Sequence, residues 1–551
     1  MPTSVAQAVG ETLAELGVRH VFGLLGSGNF VVTNALARGG AAFVASRHET
    51  GAVTMADAYA RVSGRLGVAS VHQGPGLTNS VTGLTEAAKS RTPLLLLAAD
   101  TAASALRSNF RIDQDGLVTA VGAVAERLHG PASAVADTVR AARRAQVERR
   151  PVVLMMPLDV AAATSPDGAP APVGAPVLRP VQPAPEAVAE VADLLARSSR
   201  PLIVAGRGAV LAGAREPLEK LGDLSGALLA TSAVANGFFA GDQWSLGISG
   251  GFASPIGLEL IPQADLLLAF GASLNMWTTR HGHLIGGSAK VVQVDVEADA
   301  IGAHRPVDAA VVGDADATAR ALVAELSRRG GHHPGWRSAE LAARIARGGW
   351  RDAAYEDAGD GERIDPRTFS LELDRLLPAE RTLAVDSGHF MGYPPMYMRV
   401  PDPAGFVFTQ GFQSIGLGLA SAIGAAVARP DRLTVAAVGD GGLLMSLPEL
   451  ETAGRLGLRL VVAVYNDAAY GAEVHHFGPQ GHPVDLVQFP DTDFAALGRA
   501  VGMAGVTVRG AEDMQAVAAW LEKPERPGLV VDAKVVPTVV AEWLEEAFRG
   551  H

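Results

Sequence analysis

An α/β protein of three domains, each with a mainly parallel sheet flanked by helices, is the fold class the sequence predicts. Three observations carry that prediction. The 551 residues leave room for three or four domains at roughly 150 residues apiece. Two stretches break the composition: AAATSPDGAPAPVGAPVLRPVQPAPEAV (161–188), rich in Pro and Ala, and RRGGHHPGW (328–336), which leads through a helical stretch to DAGDGERIDP (357–366). Both have the character of interdomain connections. Each segment left between them alternates short apolar runs with helical periods, the pattern of parallel strands joined by crossover helices. The expected domains are 1–162, 189–330 and 365–551, joined by linkers at 163–188 and, with a helix, at 331–364.

Taken in order, the first segment offers strands at AAFVAS (41–46), LGVASV (66–71), LLLLAA (94–99) and VVLMM (152–156). The second offers PLIVAG (201–206), ADLLLAFG (264–271) and KVVQVDV (290–296). The third offers TLAVD (382–386), LTVAAVGD (433–440), RLVVAVYND (459–467) and PGLVVDAKV (527–535). Each run is short and apolar on both faces, as strands covered by helices on two sides must be. The first and third segments each put a Gly-rich turn after a strand and before a helix, which suggests a shared design.

Composition excludes several classes of function. A net charge of -12 supplies no basic field for nucleic acid. The opening MPTSVAQAVGETLAELGVRH lacks the basic stretch and continuous apolar core of an export signal, and no apolar run approaches the roughly 18 residues of a membrane span. The absence of cysteine removes disulfides, thiolate nucleophiles and cysteine-held metals together. A cytoplasmic enzyme acting on small molecules is the expectation.

The richest stretch runs from LTVAAVGD through SLPELETAGRLG to RLVVAVYND. It reads as strand, Gly441–Gly442 turn, helix and strand, a βαβ unit. Its right-handed crossover makes the strands parallel, so Asp440 and Asp467, 27 residues apart, both fall at carboxyl ends, where open α/β sheets bind ligands. Two such carboxylates beside glycines suit a hard cation such as Mg²⁺ that also takes phosphate oxygens. Read singly, GDGG is equally an ordinary turn, and Asn466-Asp467 a helix cap or turn.

The spacing of Gly439-Asp440-Gly441 and Asn466-Asp467 resembles the diphosphate-binding signature of thiamine-diphosphate enzymes. The resemblance implies Mg²⁺ held by Asp440, Asp467 and the carbonyl of Ala469, with Asn466 as the alternative side chain, and Gly439, Gly441, Gly442 and Tyr470 around the diphosphate. A second match lies far upstream in FVASRHETGAVTMADAYARVSGRLGVASVHQGPGLTNSVTGL (43–84). It puts on Glu49 the carboxyl that hydrogen-bonds the cofactor's pyrimidine and activates it, with Gly74, Pro75 and Asn79 nearby. Read alone, Glu49 is an acid at a helix start, favourable to the macrodipole.

The whole chain is similar in pattern to the acetolactate-synthase-like branch of that family, whose order is pyrimidine, central and diphosphate domains. QADLLLAFGASLNMWTTRHG (263–282) and AKVVQVDVEADAIG (289–302) resemble its central domain. QGFQSIGLGLASAIGAAVARP (410–430) resembles the loop carrying the apolar wedge that bends the cofactor, here Ile415, with the Gln413 carbonyl and Ile415 amide on the pyrimidine. DSGHF resembles the loop cradling the diphosphate and assigns that part to Ser387, Gly388, His389 and Phe390. Residues on the substrate side fall at Gly26, Ser27, Gly28 and Asn29, at His72 and Gln73, and at Gln114; His475 and His476 are candidates for proton relay.

The implied reaction is Mg²⁺- and thiamine-diphosphate-dependent decarboxylation of a 2-keto acid, carboligation to a second carbonyl, or both. Departures from true acetolactate synthases leave the outcome open. Glu473-Val474-His475-His476 stands where those enzymes have a Gln-Trp pair, and GASLNMWTT lacks the basic residue that would hold a flavin, so FAD is not expected. Benzoylformate-decarboxylase and aldehyde-lyase types share the framework. A flavin-dependent keto-acid oxidase and an inactive cofactor-binding subunit are the remaining readings, the latter disfavoured by Glu49. The pyrimidine site of one subunit faces the diphosphate site of another in this family, which implies a homodimer or homotetramer.

Overall fold

Leu94–Asp100 is buried at every position, and so are Pro151–Pro157, Leu202, Ile203 and Leu268, and Leu460–Asn466. Such runs have no solvent face and are stable only as central strands with helices on both sides. The structure, a computed structural model, describes residues 3–166, 177–331, 333 and 335–548. Residues 167–176 of the first expected linker, and 332 and 334 of the second, lie outside the described residues.

Three six-stranded sheets follow in chain order. The first comprises β1 (His20–Gly23), β2 (Ala42–Ala45), β3 (Gly67–Val71), β4 (Leu94–Asp100), β5 (Val124–Arg127) and β6 (Pro151–Pro157), ordered β2-β1-β3-β4-β6-β5. The second comprises β7 (Pro201–Ala205), β8 (Leu228–Thr231), β9 (Ser245–Ile248), β10 (Leu266–Phe270), β11 (Lys290–Asp295) and β12 (Ala309–Val312), ordered β12-β11-β10-β7-β8-β9. The third comprises β13 (Arg381–Val385), β14 (Phe406–Phe408), β15 (Leu433–Gly439), β16 (Leu460–Asn466), β17 (Ala504–Val508) and β18 (Leu529–Lys534), ordered β14-β13-β15-β16-β18-β17. All the pairings within these sheets are parallel. The first and third sheets share one strand order, and the second has another.

Every strand expected from the sequence is present. β1, β5, β8, β9, β12, β14 and β17 were not expected, because each has at most five residues and most lie at sheet edges, where a half-covered strand carries too few apolar positions to show a pattern. The expected Gly441–Gly442 turn is a correction. β15 runs directly into the helix Asp440–Met445, and a second helix, Pro448–Arg455, follows after a break at Ser446–Leu447. Pro448 sits in the first turn of that second helix, where a missing amide hydrogen costs nothing.

The outer domains pack through two small-residue helices, Glu49–Ser63 after β2 and Gly418–Ala428 after β14. Their approach leaves no room at Gly424, where a Cβ would stand 2.1 Å from the Met55 carbonyl oxygen. One apolar core, from Phe22 and Met55 to Leu419 and Val462, therefore runs through both outer domains.

Candidate active site

The residues singled out from the sequence sit on loops at the carboxyl edges of the first and third sheets. Gly26–Asn29 follow β1, Glu49 follows β2 and His72–Asn79 follow β3; Asp386–Phe390 follow β13, Gln410–Ile415 follow β14, Asp440 follows β15 and Asp467 follows β16. Two half-sites result, one in each outer domain.

The C-terminal half is a cavity of about 520 Å³. Ser387 to Phe390, Gln413, Ile415, Gly439 to Gly442, Asp467, Ala469 and Tyr470 all line it. Asp440 is buried there, and burial pushes its carboxyl up to about 6. Burial and then the charge of Asp440 push Asp467 up to about 7. A divalent cation between them would remove that conflict. No group of three His, Cys, Asp or Glu side chains able to hold a metal occurs among the described residues. Such a cation would use the two carboxylates and the Ala469 carbonyl, leaving the rest of its shell for oxygens entering from the cavity. The amide oxygen and nitrogen of Gln410, buried and without partners, also line it, and suit a polar ligand.

Asp386 ties two of these loops together. Fully buried, it accepts from the backbone amides of Ser387 at 2.9 Å, Gly416 at 3.0 Å and Leu417 at 3.1 Å, yet burial still pushes it up to about 6. A Cβ on Gly442 would stand 2.5 Å from its Oδ2, so the glycine after Asp440-Gly441 is fixed by this close approach. His389 is held neutral: burial, and then His475, lower it to about 3. Its Nε2 accepts from the Ala541 amide at 2.8 Å, and its carbonyl accepts from the Trp543 indole at 3.1 Å. These bonds dock the C-terminal segment, and Val539, Trp543, Leu544 and Phe548 become walls of the cavity.

The N-terminal half is a surface. Glu49 opens its helix, is 7% exposed, and accepts from the Asn79 side-chain amide at 3.1 Å. His72 stands within 3.3 Å of the Ser27 hydroxyl, and a Cβ on Gly28 would lie 2.0 Å from the Gln73 amide oxygen. Among the described residues, the C-terminal cavity has no lining residue from this domain. One chain therefore does not bring Glu49 into that cavity with Asp440.

Five side chains expected in the site make contacts elsewhere. Gln114 is buried, giving its amide hydrogens to the Ala99 carbonyl at 3.1 Å and its oxygen to the Gly74 amide at 2.9 Å. It holds the Gly74 loop in place. Asn29 is likewise buried, bonded to the Leu24 carbonyl, the Ser70 hydroxyl and the Gly26 amide. Asn466 spends its amide hydrogens on Asp491, Thr492 and Asp532 and its oxygen on the Ala468 amide, inside the domain, so Asp467 is the side chain that faces the cavity. His475 packs against His389 with tilted rings, centroids 4.4 Å apart and Nε2 enclosed, and His476 stacks on Phe548 at 3.8 Å; neither lines the cavity. The helix Gly471–Phe477 instead turns Ala472 and Glu473 inward. In the sequence Glu473 stands out only as a departure from a Gln-Trp pair, and its place one turn beyond Asp467-Ala469 is the local signal that marks it. Trp277, from the central domain, and the C-terminal walls gave no local signal.

Comparison with known proteins agrees with this division. Residues 3–120 match the N-terminal TPP binding domain of thiamine pyrophosphate enzymes, 188–322 the central domain and 386–531 the C-terminal TPP binding domain. A probable 2-ketoarginine decarboxylase of Pseudomonas aeruginosa is 32% identical over 93% of this chain and 90% of its own length. A sulfoacetaldehyde acetyltransferase of Castellaniella defragrans is 28% identical over 92% and 89%. A probable acetolactate synthase large subunit of Methanocaldococcus jannaschii is 27% identical over 90% and 86%.

Proposed function

The chain belongs to the thiamine pyrophosphate enzyme family, and from that premise we propose an Mg²⁺-assisted enzyme that decarboxylates a 2-keto acid and releases the remaining acyl unit or joins it to a second carbonyl. The observation that carries this reading is the pair of carboxylates, Asp440 and Asp467, which follow two paired strands and line one cavity of about 520 Å³, with the charge of Asp440 raising the carboxyl of Asp467.

In this reading Asp440, Asp467 and the Ala469 carbonyl would hold Mg²⁺, which would bind the cofactor's diphosphate, and the loops at Ser387–Phe390 and Gln413–Ile415 would hold the rest of the cofactor. Bound thiamine diphosphate supplies the electron sink for the pair left when the bond to CO₂ breaks. Glu49 holds a proton at the pyrimidine nitrogen. Neutral His389 and the apolar walls Val539, Trp543 and Leu544 exclude water from the acyl carbon.

In this reading Glu49 comes from a second copy. Exposed apolar side chains flank both half-sites: Phe30, Val31 and Phe110 beside the first, Phe412, Met445 and Phe477 beside the second. Large apolar groups exposed together favour a partner surface, and a two-fold pairing would cover both sets at once. We assign the enzyme to a homodimer or homotetramer in the cytoplasm. No helix among the described residues is long and apolar enough to cross a membrane.

One feature bears on the donor. Glu473 lines the cavity without an ion pair among the described residues, and the 32%-identical relative is named for a keto acid with a guanidino end. A 2-keto acid with a cationic end is therefore the first donor to try. The test is a panel of cationic, neutral and anionic 2-keto acids, with and without aldehyde acceptors, following CO₂ and product together in Mg²⁺ and thiamine diphosphate. CO₂ release from none of them would overturn the reading.

A further inference from the structure

Two buried glutamates outside the cavity reach across the boundary between the outer domains. Glu86 lies on the helix Val81–Lys89, after β3. Its carboxylate accepts from the backbone amides of Gly411 at 3.1 Å and Phe412 at 2.7 Å. Glu449 lies on the helix Pro448–Arg455, after β15. Its Oε1 accepts from the backbone amides of Arg47 at 3.0 Å and His48 at 2.9 Å. β3 and β15 are the third strands of sheets that share one order, and the two contacts are counterparts. Each carboxylate holds the two amides just before a residue assigned to the cofactor, Gln413 in one case and Glu49 in the other.

The surroundings match as well. Both glutamates are nearly inaccessible, 1% and 2% exposed. Each faces a glycine of the other domain: a Cβ on Gly411 would stand 3.1 Å from Glu86 Oε1, and one on Gly51 would stand 2.3 Å from Glu449 Oε1. Each has a helper hydroxyl, Ser90 on Glu86 at 2.9 Å and Thr452 on Glu449 at 2.7 Å. Arg61, on the Glu49 helix, strengthens the first contact by pairing with Glu86 at 2.9 Å and Asp57 at 2.6 Å while donating to the Phe408 carbonyl at 3.1 Å.

From this geometry we propose that Glu86 and Glu449 are a reciprocal pair of positioning residues, each fixing the cofactor loop that the other domain contributes. Neither touches the cavity, and both act through backbone amides. A carboxylate accepting two consecutive amides sets the direction of the chain as well as its place, which is what a loop aimed at a cofactor requires. The inference rests on the cofactor roles given above to Glu49, Gln413 and Ile415. Because those two loops belong to different active sites in a dimer, the pair joins part of one site to part of the other within each chain.

The test uses the full-length enzyme and Glu86→Gln and Glu449→Gln, with hydrogen exchange read on the cofactor-free protein. Glu86→Gln should speed exchange at Gly411 and Phe412 and weaken thiamine diphosphate binding in Mg²⁺ about tenfold, the scale of one lost charge-assisted hydrogen bond. Binding is followed by fluorescence of Trp277 and Trp543, which line the cavity. Glu449→Gln should speed exchange at Arg47 and His48 and lower kcat about tenfold, with KM for the keto acid unchanged at saturating cofactor. If either glutamine variant fails to fold, Gly411→Ala and Gly51→Ala push the loops away while keeping both carboxylates, and should give the same local exchange and kinetic changes. Parental exchange at all four amides, or parental cofactor binding and kcat despite faster exchange, overturns the proposal. Ile415→Ala and Glu49→Gln run alongside. If these two are also without effect, the cofactor roles of the loops themselves have failed; if they act while the clamp variants do not, the clamp alone has failed.

Discussion

The two outer domains share a strand order but present opposite surfaces at the same sheet edge. The C-terminal domain forms a walled cavity holding two carboxylates, the charge of one raising the other, whereas the N-terminal domain keeps Glu49 nearly buried, with exposed phenylalanine and valine nearby. The difference teaches that one fold can serve as container or as cover. The container stores electrostatic conflict that a cation and diphosphate relieve, and the cover brings one proton-holding group and an apolar rim.

The largest effect comes from separating cover and container. Glu49→Gln alone should lower turnover by roughly 10²–10⁴-fold, the range for a positioned proton-transfer group, and Asp440→Ala should abolish Mg²⁺-dependent activity. Co-expressed, the two chains should recover activity approaching about a quarter of the parental level, because half of randomly paired dimers hold one intact site of two. Recovery absent from purified mixed dimers would mean that each chain builds its own site.

The next effect is confined to the container. Glu473→Gln should raise KM about threefold to fivefold for a donor with a cationic end, the scale of a partly exposed ion pair, and leave neutral donors within about twofold. Equal changes for both donors would remove Glu473 from substrate selection.

A third effect concerns the stability of the container. Asp386 has a folded value of about 6 against the usual 3.8, so the folded state holds its proton more tightly. That contribution is complete below the unfolded value and is lost as pH rises through 6; two units correspond to about 3 kcal/mol at most. In cofactor-free protein, Asp386→Asn should remove this part of the decline, so that the variant's melting temperature rises relative to the parent's as pH goes from about 4 to about 6.5. Parallel profiles would assign the decline to other groups.

Sequence patterns showed the container more clearly than the cover. Long buried strands such as LTVAAVG and LVVAVYN are apolar on both faces and announce themselves, and the spacing from Asp440 to Asp467 followed from their parallel crossover. The shared outer design was visible as Gly-rich turns after strands. Short edge strands such as FVF and LGI carried too little pattern. Side-chain direction was the other gap: Gln114, Asn29, Asn466 and His475 are polar residues on the expected loops, but each turns inward to satisfy backbone or neighbouring groups, which local sequence does not specify. The contacts of Glu86 and Glu449 join residues more than three hundred positions apart and emerge only when the domains are packed.

The smallest effect separates the two clamps by the sign of their pH dependence. Burial pushes Glu86 up, but the Arg61 charge and the Arg61, Phe412 and Gly411 hydrogen bonds outweigh it and leave the carboxyl below its ordinary 4.5. Glu449 has no ion pair among the described residues; burial raises it, against Thr452 and the Arg47 and His48 amides. A lowered carboxyl stabilises the fold above the ordinary value and loses that contribution as pH falls through its folded value; a raised one stabilises below the ordinary value and loses it as pH rises. Between about pH 4 and pH 7, the melting deficit of Glu86→Gln should therefore widen and that of Glu449→Gln should narrow. Thermal melts of the two variants and the parent across that range would read it. Deficits that move in the same direction would mean that Arg61 does not distinguish the clamps, and that the outer domains are closer to electrical symmetry than their partners indicate.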